Sequence, residues 1–432
     1  MARAIRVLLI AEAANPEWVS VPLVGWSLAT ALTKVVNAHI VTQIRNRDAF
    51  VRAGLVEGED FTAIDSEAID ALAWRAASVL RMGEGKGWTT MTAVNALTYP
   101  YFERLVWNRF GEDIRNGRFD LVHRITPLSP TINSPIARKC KKAGIPFVMG
   151  PLNGGLPWPH GFDSERRRER EWLSYVRRAY KLLPWRHSTL SSADAIIVGS
   201  RYTESEIPDR HRDKCIYIPE NAIDTARFSQ PVKENASTPL RACFIGRLVP
   251  YKGPDMLITA AAPLLRERRL QLDMIGDGPM MGELRQLAEQ EGVTEAVNFH
   301  GWVPHENVQT IASQSDLFTF PSVREFGGGV VLEAMALGLV SIIVDYGGPG
   351  EHIIEGTGFK LPLVRRDQII ADLRKILTEI VDAPEQLPEI GRRARQRIDD
   401  KYTWERKAEQ IREVYAWVLK DRSEKPAPFA SP

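Results

Sequence analysis

The chain has 432 residues, of which 44% are apolar and 25% charged, and its net charge is +2. That mixture excludes a chain disordered throughout and a small disulfide scaffold, and the length suits two or three domains, each with its own core. Residues 1–200 carry +7 and the remainder −5, so the front half suits an anionic surface or substrate, with too weak a bias for nucleic acid.

Ile5–Ala11 reads as a first buried strand. Its apolar stretch is too short for a signal peptide and is interrupted by Glu12. Further β-branched runs at Ala38–Thr42, Phe119–His123, Ile145–Met149 and Ala195–Gly199 alternate with helical stretches such as Leu23–Lys34 and Pro135–Lys142. This alternation predicts a parallel sheet covered on both faces. The segment Ser164–Trp185 combines Trp172, Val176, Tyr180 and Leu183 at helical spacing with Arg166, Arg167, Arg168, Arg170, Arg177 and Arg178. It is either an ordinary amphipathic helix or an interfacial one on an anionic membrane. No apolar run approaches the length of a membrane span.

Ser229–Pro239 has the polar, proline-flanked composition of a linker. Beyond it the strand–helix rhythm is more regular: Leu240–Ile245, helix Pro254–Arg268 with a kink or early end expected at Pro263, Leu270–Ile275 and helix Pro279–Gln290. Val297–His300, a helix near Glu306–Ser313, Asp316–Phe320, helix Val330–Leu337 and Val340–Tyr346 follow. The chain ends in a helix, Trp404–Leu419, and a polar tail, Asp421–Pro432, expected to be disordered. Cys140, Cys215 and Cys243 are far apart and in no ligand spacing, as reduced thiols in a cytosolic chain would be.

Three strand-to-helix turns in the second half carry the chemistry. Gly246-Arg247 and Lys252-Gly253 put two cations in a glycine-flanked loop suited to a diphosphate, or to plain solvent exposure. Gly276-Asp277-Gly278 is a tight turn that lets backbone approach a ligand, or merely turns the chain. Glu325-Phe326-Gly327-Gly328-Gly329 leads into a helix carrying Glu333, so exposed amides and two carboxylates flank one place. In the front half, the loop before Gly25, the strand-end His123 and the turn Asn153-Gly154-Gly155 are candidates to face a second substrate.

These motifs, with Phe299-His300-Gly301, Asp316 ahead of Phe320-Pro321-Ser322, and Gly347-Gly348-Pro349 with Glu351, resemble the family 4 retaining glycosyltransferases of the GT-B fold. The resemblance is specific over roughly residues 190–360 and holds only in rhythm before that. It departs from the family where phenylalanine directly follows Glu325, and where Asn221-Ala222-Ile223-Asp224 replaces Asn-Gly-Ile/Val-Asp.

The resemblance implies an α/β protein of two Rossmann-like domains facing a cleft. The expected bounds are 1–228 on the acceptor side, a linker 229–239, a nucleotide-sugar domain 240–400, and a helix 401–420 returning to the first domain before a tail, 421–432. By the same resemblance Arg247 and Lys252 neutralise a donor diphosphate, and Glu325 meets the donor sugar. Gly246, Gly276, Asp277, Gly278, Phe326, Gly327, Gly328 and Gly329 lie against the donor, Glu333 takes the ribose hydroxyls, and Trp302 and Val303 lie near the base. Gly25, His123, Asn153, Gly154 and Gly155 fall on the acceptor side.

The implied reaction moves a sugar from a nucleotide diphosphate sugar to a hydroxyl with retention, in polysaccharide or glycolipid synthesis. It needs no resident cofactor and no metal, for the chain contains no Asp-x-Asp. The implied setting is cytoplasmic or peripheral on the inner membrane face, with a carbohydrate or lipid-linked acceptor and no nucleic acid. Competing readings are a non-catalytic subunit that kept the fold, and an epimerase or phosphorylase.

Overall fold

A computed structural model describes residues 4–67, 88–168 and 184–429. The chain forms two compact units: residues 1–155, 171–220 and 404–432 make the first, and residues 156–170 and 221–403 the second. The crossing at Glu220–Asn221 precedes the expected linker. Residues 229–239 instead belong to the second unit, where Asp316 accepts from Ser237 N and Oγ at 3.1 Å each and from Lys233 Nζ at 3.1 Å.

The first unit is built on seven strands: β1 Arg6–Ala11, β2 Asn37–Gln43, β3 Phe61–Ile64, β4 Leu121–Thr126, β5 Phe147–Leu152, β6 Ala195–Val198 and β7 Cys215–Tyr217. Their order is β3-β2-β1-β4-β5-β6-β7, and every ladder is parallel. The central strands are buried at nearly every position because helices cover both faces, and β4 keeps His123, Arg124 and Thr126 among its buried residues. Helix Val21–Thr33 packs on one face together with the last helix, Trp404–Val418, which buries Ala408, Ile411, Val414 and Tyr415 in the same core. The tail is not loose as far as Phe429, whose ring stacks edge-on to Tyr217 at 5.6 Å while its carbonyl accepts from Arg201. All three cysteines are buried and unpaired, and burial pushes their thiols well above the ordinary range.

The second unit has six strands: β8 Leu240–Ile245, β9 Leu270–Ile275, β10 Val297–Gly301, β11 Leu317–Phe320, β12 Val340–Val344 and β13 Gly358–Leu361. The order β10-β9-β8-β11-β12-β13 is parallel throughout and reverses between β8 and β11. Ligands of open parallel sheets bind beyond the carboxyl ends at such a reversal, so this topology alone singles out the loops after β8 and β11.

One helix corrects its expected end. Pro254–Arg266 runs through Pro263, where the missing N–H frees the Thr259 carbonyl four residues back. Arg374 donates to that carbonyl at 2.9 Å, so the helix continues.

Candidate functional site

The loops after β8 and β11 meet. Lys252 ends a short 3-10 turn and places Nζ 3.1 Å from Glu325 Oε2, with both side chains largely buried. Burial is the strongest single influence and works against the ammonium charge, but the Glu325 carboxylate and Tyr251 together outweigh it and hold the Lys252 pKa above its ordinary value. Arg247, five residues earlier, is exposed and makes no ion pair among the described residues. A buried, already neutralised lysine therefore lies beside an available guanidinium at the sheet reversal.

Loop crowding explains most of the glycines. At Gly276, φ is +140°, and an added Cβ would meet Gly246 O at 2.0 Å; at Gly278 it would meet Leu248 O at 2.4 Å. The Gly276–Gly278 turn braces the Arg247 loop, an arrangement closed by Leu248 N donating to Asp277 O at 2.9 Å. Asp277 Oδ1 is occupied by Gly278 N at 2.7 Å. Glu325–Gly328 is backed by the Gly347–Pro349 turn: Gly348 N donates to Phe326 O at 2.9 Å, and His352 Nε2 donates to Gly327 O at 2.8 Å. Gly328, at φ +60°, caps helix Gly329–Ala336. The amides of that helix start thus lie directly after Glu325, as the sequence predicts.

Glu333 Oε1 is 2.9 Å from His305 Nε2, and His305 Nδ1 is 2.7 Å from Arg227 Nη2. Neither His305 nor Arg227 was legible as a site residue, although Pro304 at the helix start hints at a fixed position for His305. Trp302 is strongly exposed, at 74%, three residues before His305.

A segment of the front half also belongs to this unit. Arg324 is 4% exposed, with its guanidinium 4.8 Å from the Trp158 ring and 4.9 Å from the Phe326 ring. Its Nε donates to Leu156 O at 3.2 Å, Tyr346 Oη donates to Pro157 O at 3.0 Å, and Trp158 meets Tyr251 edge-on. Residues 156–158 therefore lie along the loops after β8, β11 and β12. The sequence marks Gly150–His160, with Trp158, as a loop that lines a cleft or lids its domain, and does not show this packing.

The first-unit candidates have structural partners. His123 is fully buried, its Nε2 donating to Gly150 O at 2.8 Å and its Nδ1 accepting from Tyr415 Oη at 2.6 Å. Burial, with Arg124 beside it, lowers its pKa to about 4. Both ring nitrogens are thus occupied within the first unit, as in a core histidine. At Gly25 a Cβ would strike Ala13 O at 2.2 Å, so this glycine lets the helix approach the loop after β1. Asn153 Oδ1 accepts from Ser200 Oγ at 3.0 Å and from Gly154 N at 2.8 Å, pinning the turn through Gly154 and Gly155 at the carboxyl end of β5.

Of the basic segment 164–185, residues 169–183 lie outside the described residues, and with them the four apolar positions and Arg170, Arg177 and Arg178. Helix Asp163–Arg168 lies in the second unit, where Arg168 forks onto both Glu283 oxygens at 2.8 Å and Arg166 is largely covered. Among the described residues no helix is long and apolar enough to cross a membrane, and no group of three or more metal-ligating side chains occurs.

The family model for glycosyl transferases group 1 matches residues 226–397. A glycogen synthase of Mycobacterium tuberculosis is 28% identical over 259 residues, spanning 58% of this chain and 61% of that protein. A GDP-mannose-dependent monoacylated alpha-(1-6)-phosphatidylinositol monomannoside mannosyltransferase of Corynebacterium glutamicum is 29% identical over 214 residues, 45% of this chain and 54% of its own. The chain thus matches only part of the length of these relatives. Among solved structures, the Anabaena protein HepE, in complex with UDP, superposes with a TM-score of 0.62 at 15% identity, covering 95% of this chain and 100% of that one. The likeness to HepE is one of fold, and the chain has the GT-B architecture of two parallel-sheet α/β domains. The residues that match the glycosyl transferases group 1 model make up most of the second unit, from the end of its entry segment to its last helix.

Proposed function

We propose that the protein is a retaining glycosyltransferase that moves a sugar from a nucleoside diphosphate sugar to a hydroxyl of a carbohydrate or lipid-linked acceptor. The observation that carries this reading is the Lys252–Glu325 pair set between Arg247 and the start of helix Gly329–Ala336, at the β8/β11 reversal. Its support from relatives is that one is named a glycogen synthase and another a GDP-mannose-dependent mannosyltransferase, and that HepE was solved with UDP.

In this reading the bond from sugar C1 to the diphosphate oxygen breaks, and its electron pair leaves with the diphosphate. The acceptor oxygen bonds C1 on the same face, and its proton passes to a donor phosphate oxygen. Arg247, Lys252 and the helix-start amides oppose the leaving charge. One ion pair at about 4 Å and an effective dielectric near 20 is worth about 4 kcal/mol, so Arg247 and the helix start supply most of the opposing charge, and Lys252 adds only what its pairing with Glu325 leaves over. Glu325 faces the sugar and Glu333 the ribose. The acceptor is assigned to the carboxyl edge of the first sheet, near the turn Asn153–Gly155.

A polysaccharide or glycolipid setting follows from the same relatives, and the basic front half favours an anionic, membrane-linked acceptor. Arg166 and Arg168 are engaged within the second unit, so any membrane contact by this segment must rest on its remaining arginines.

The test is a thermal-shift series with UDP, GDP and ADP and their sugar forms, followed by NMR of the product anomer. One nucleoside diphosphate should raise the melting temperature by several degrees, and its sugar form should be turned over with retention. Arg247→Ala should weaken the diphosphate far more than the corresponding nucleoside. Binding without any transfer or hydrolysis favours a non-catalytic subunit, and an inverted product removes the retaining mechanism.

A further inference from the structure

The geometry points to Arg227 and His305 as positioning residues that hold Glu333 ready for the ribose of the donor; this inference rests on the proposed nucleotide-binding role of Glu333. Arg227 has only donors on its guanidinium, so His305 Nδ1, 2.7 Å from Nη2, must accept. The ring proton then lies on Nε2, which donates to Glu333 Oε1 at 2.9 Å. The direction of the whole chain is fixed by its first member.

Three separate elements supply these groups. Asp224 Oδ1 takes Ala226 N at 3.0 Å, forming the turn that carries Arg227. His305 opens helix His305–Ala312 behind Pro304, and Glu333 lies in helix Gly329–Ala336. The side chains of His305 and Glu333 are 35% and 20% exposed, so their hydrogen bond is partly shielded from water while an edge stays open. Among the described residues Glu333 Oε2 has no hydrogen-bond partner, which leaves it to accept from a vicinal diol. A carboxylate with one oxygen already oriented loses less rotamer freedom when the ribose arrives. Its hydrogen bonds to the hydroxyls are charge-assisted and therefore sensitive to orientation.

The experiment is calorimetry on the full chain with UDP, GDP and ADP, followed by the tightest of these in its 2′,3′-dideoxy form. The wild type should prefer the ribonucleotide by at least about tenfold, the range expected of hydrogen bonds to a charged group. His305→Ala should cut that preference to about twofold, through weaker ribonucleotide binding with the dideoxy affinity unchanged. His305→Gln should retain most of it, because one amide can accept from Arg227 and donate to Glu333 together. An alanine variant that weakens both nucleotides equally, or neither, overturns the inference, as does a glutamine variant no better than alanine. Glu333→Gln separates the two levels. If it erases the ribose preference and His305→Ala does not, the positioning role alone fails. If it leaves the preference intact, or if no diphosphate binds, the assignment of Glu333 falls as well.

Discussion

Lys252 meets Glu325 at 3.1 Å before any ligand arrives, so the cation closest to the proposed diphosphate is already shared with an anion. A diphosphate entering there gains attraction from Lys252 and suffers repulsion from Glu325, and the two largely cancel. Removing the negative charge while keeping the shape should therefore change affinity and turnover in opposite directions. Glu325→Gln is expected to bind the free nucleoside diphosphate a few-fold more tightly, since Lys252 is released to it, while sugar transfer falls by at least about a hundredfold. Calorimetry and a turnover assay on the same preparation read both. A parallel loss of binding and turnover would place Glu325 as a structural anchor for Lys252 rather than as a sugar contact. Arg247, exposed and unshared with other described residues, carries no such compensation, so its truncation should only weaken binding.

The segment Leu156–Trp158 leaves the end of the first sheet and lies against the loops of the second unit, where Arg324 is held between Trp158 and Phe326. A guanidinium between two rings, with Nε on the Leu156 carbonyl, fixes the residue immediately before Glu325. Trp158→Ala and Arg324→Ala should each raise the donor KM a few-fold, and the double variant should do little more than either, since both act through one stack. Additive effects in steady-state kinetics would show independent roles. The sequence marks Gly150–His160, with Trp158, as a loop that lines a cleft or lids its domain, but not its partners, because cation–π pairs have no spacing rule. What was legible follows from local physics: Leu240–Ile245 and Leu270–Ile275 are found at the expected bounds because buried parallel strands are short, mostly apolar runs, broken here only by Arg241, Gln271 and Asp273. The edge strands β3, β7 and β13 escaped notice, having only three or four residues and mixed polarity. The pairing of Lys252 with Glu325 lies 73 residues apart in sequence, and only the strand order that puts β8 beside β11 brings it about.

The chain passes from one unit to the other at Glu220–Asn221 and again at Thr403–Trp404, and Lys407 lies just past the second passage. It is fully buried in the last helix, donates to the Pro219 carbonyl beside the first passage, and has Glu220 nearby. Burial lowers its pKa to about 7, with Glu220 opposing that only in part. An unfolded lysine keeps its proton to about 10.4. Between those two values the unfolded chain therefore binds more protons than the folded one at this position, and stability must rise with pH across the window. Below about 7 the folded protein carries a buried ammonium, and the full penalty is felt. One such group contributes a slope of up to about 1.4 kcal/mol per pH unit. Other groups titrate in the same range, so the measurement is a difference: melting temperatures of the wild type and Lys407→Met from pH 6 to 10. The variant should be the more stable at pH 6, since methionine fills the space without a charge. Its advantage should shrink as pH rises and then reverse, once the neutral amine keeps the hydrogen bond to Pro219 that methionine cannot make. A constant difference across the range would mean that Lys407 is protonated throughout. The tie between the two passages would then be an ammonium held by Glu220 and the Pro219 carbonyl, stable enough to outlast the burial against it.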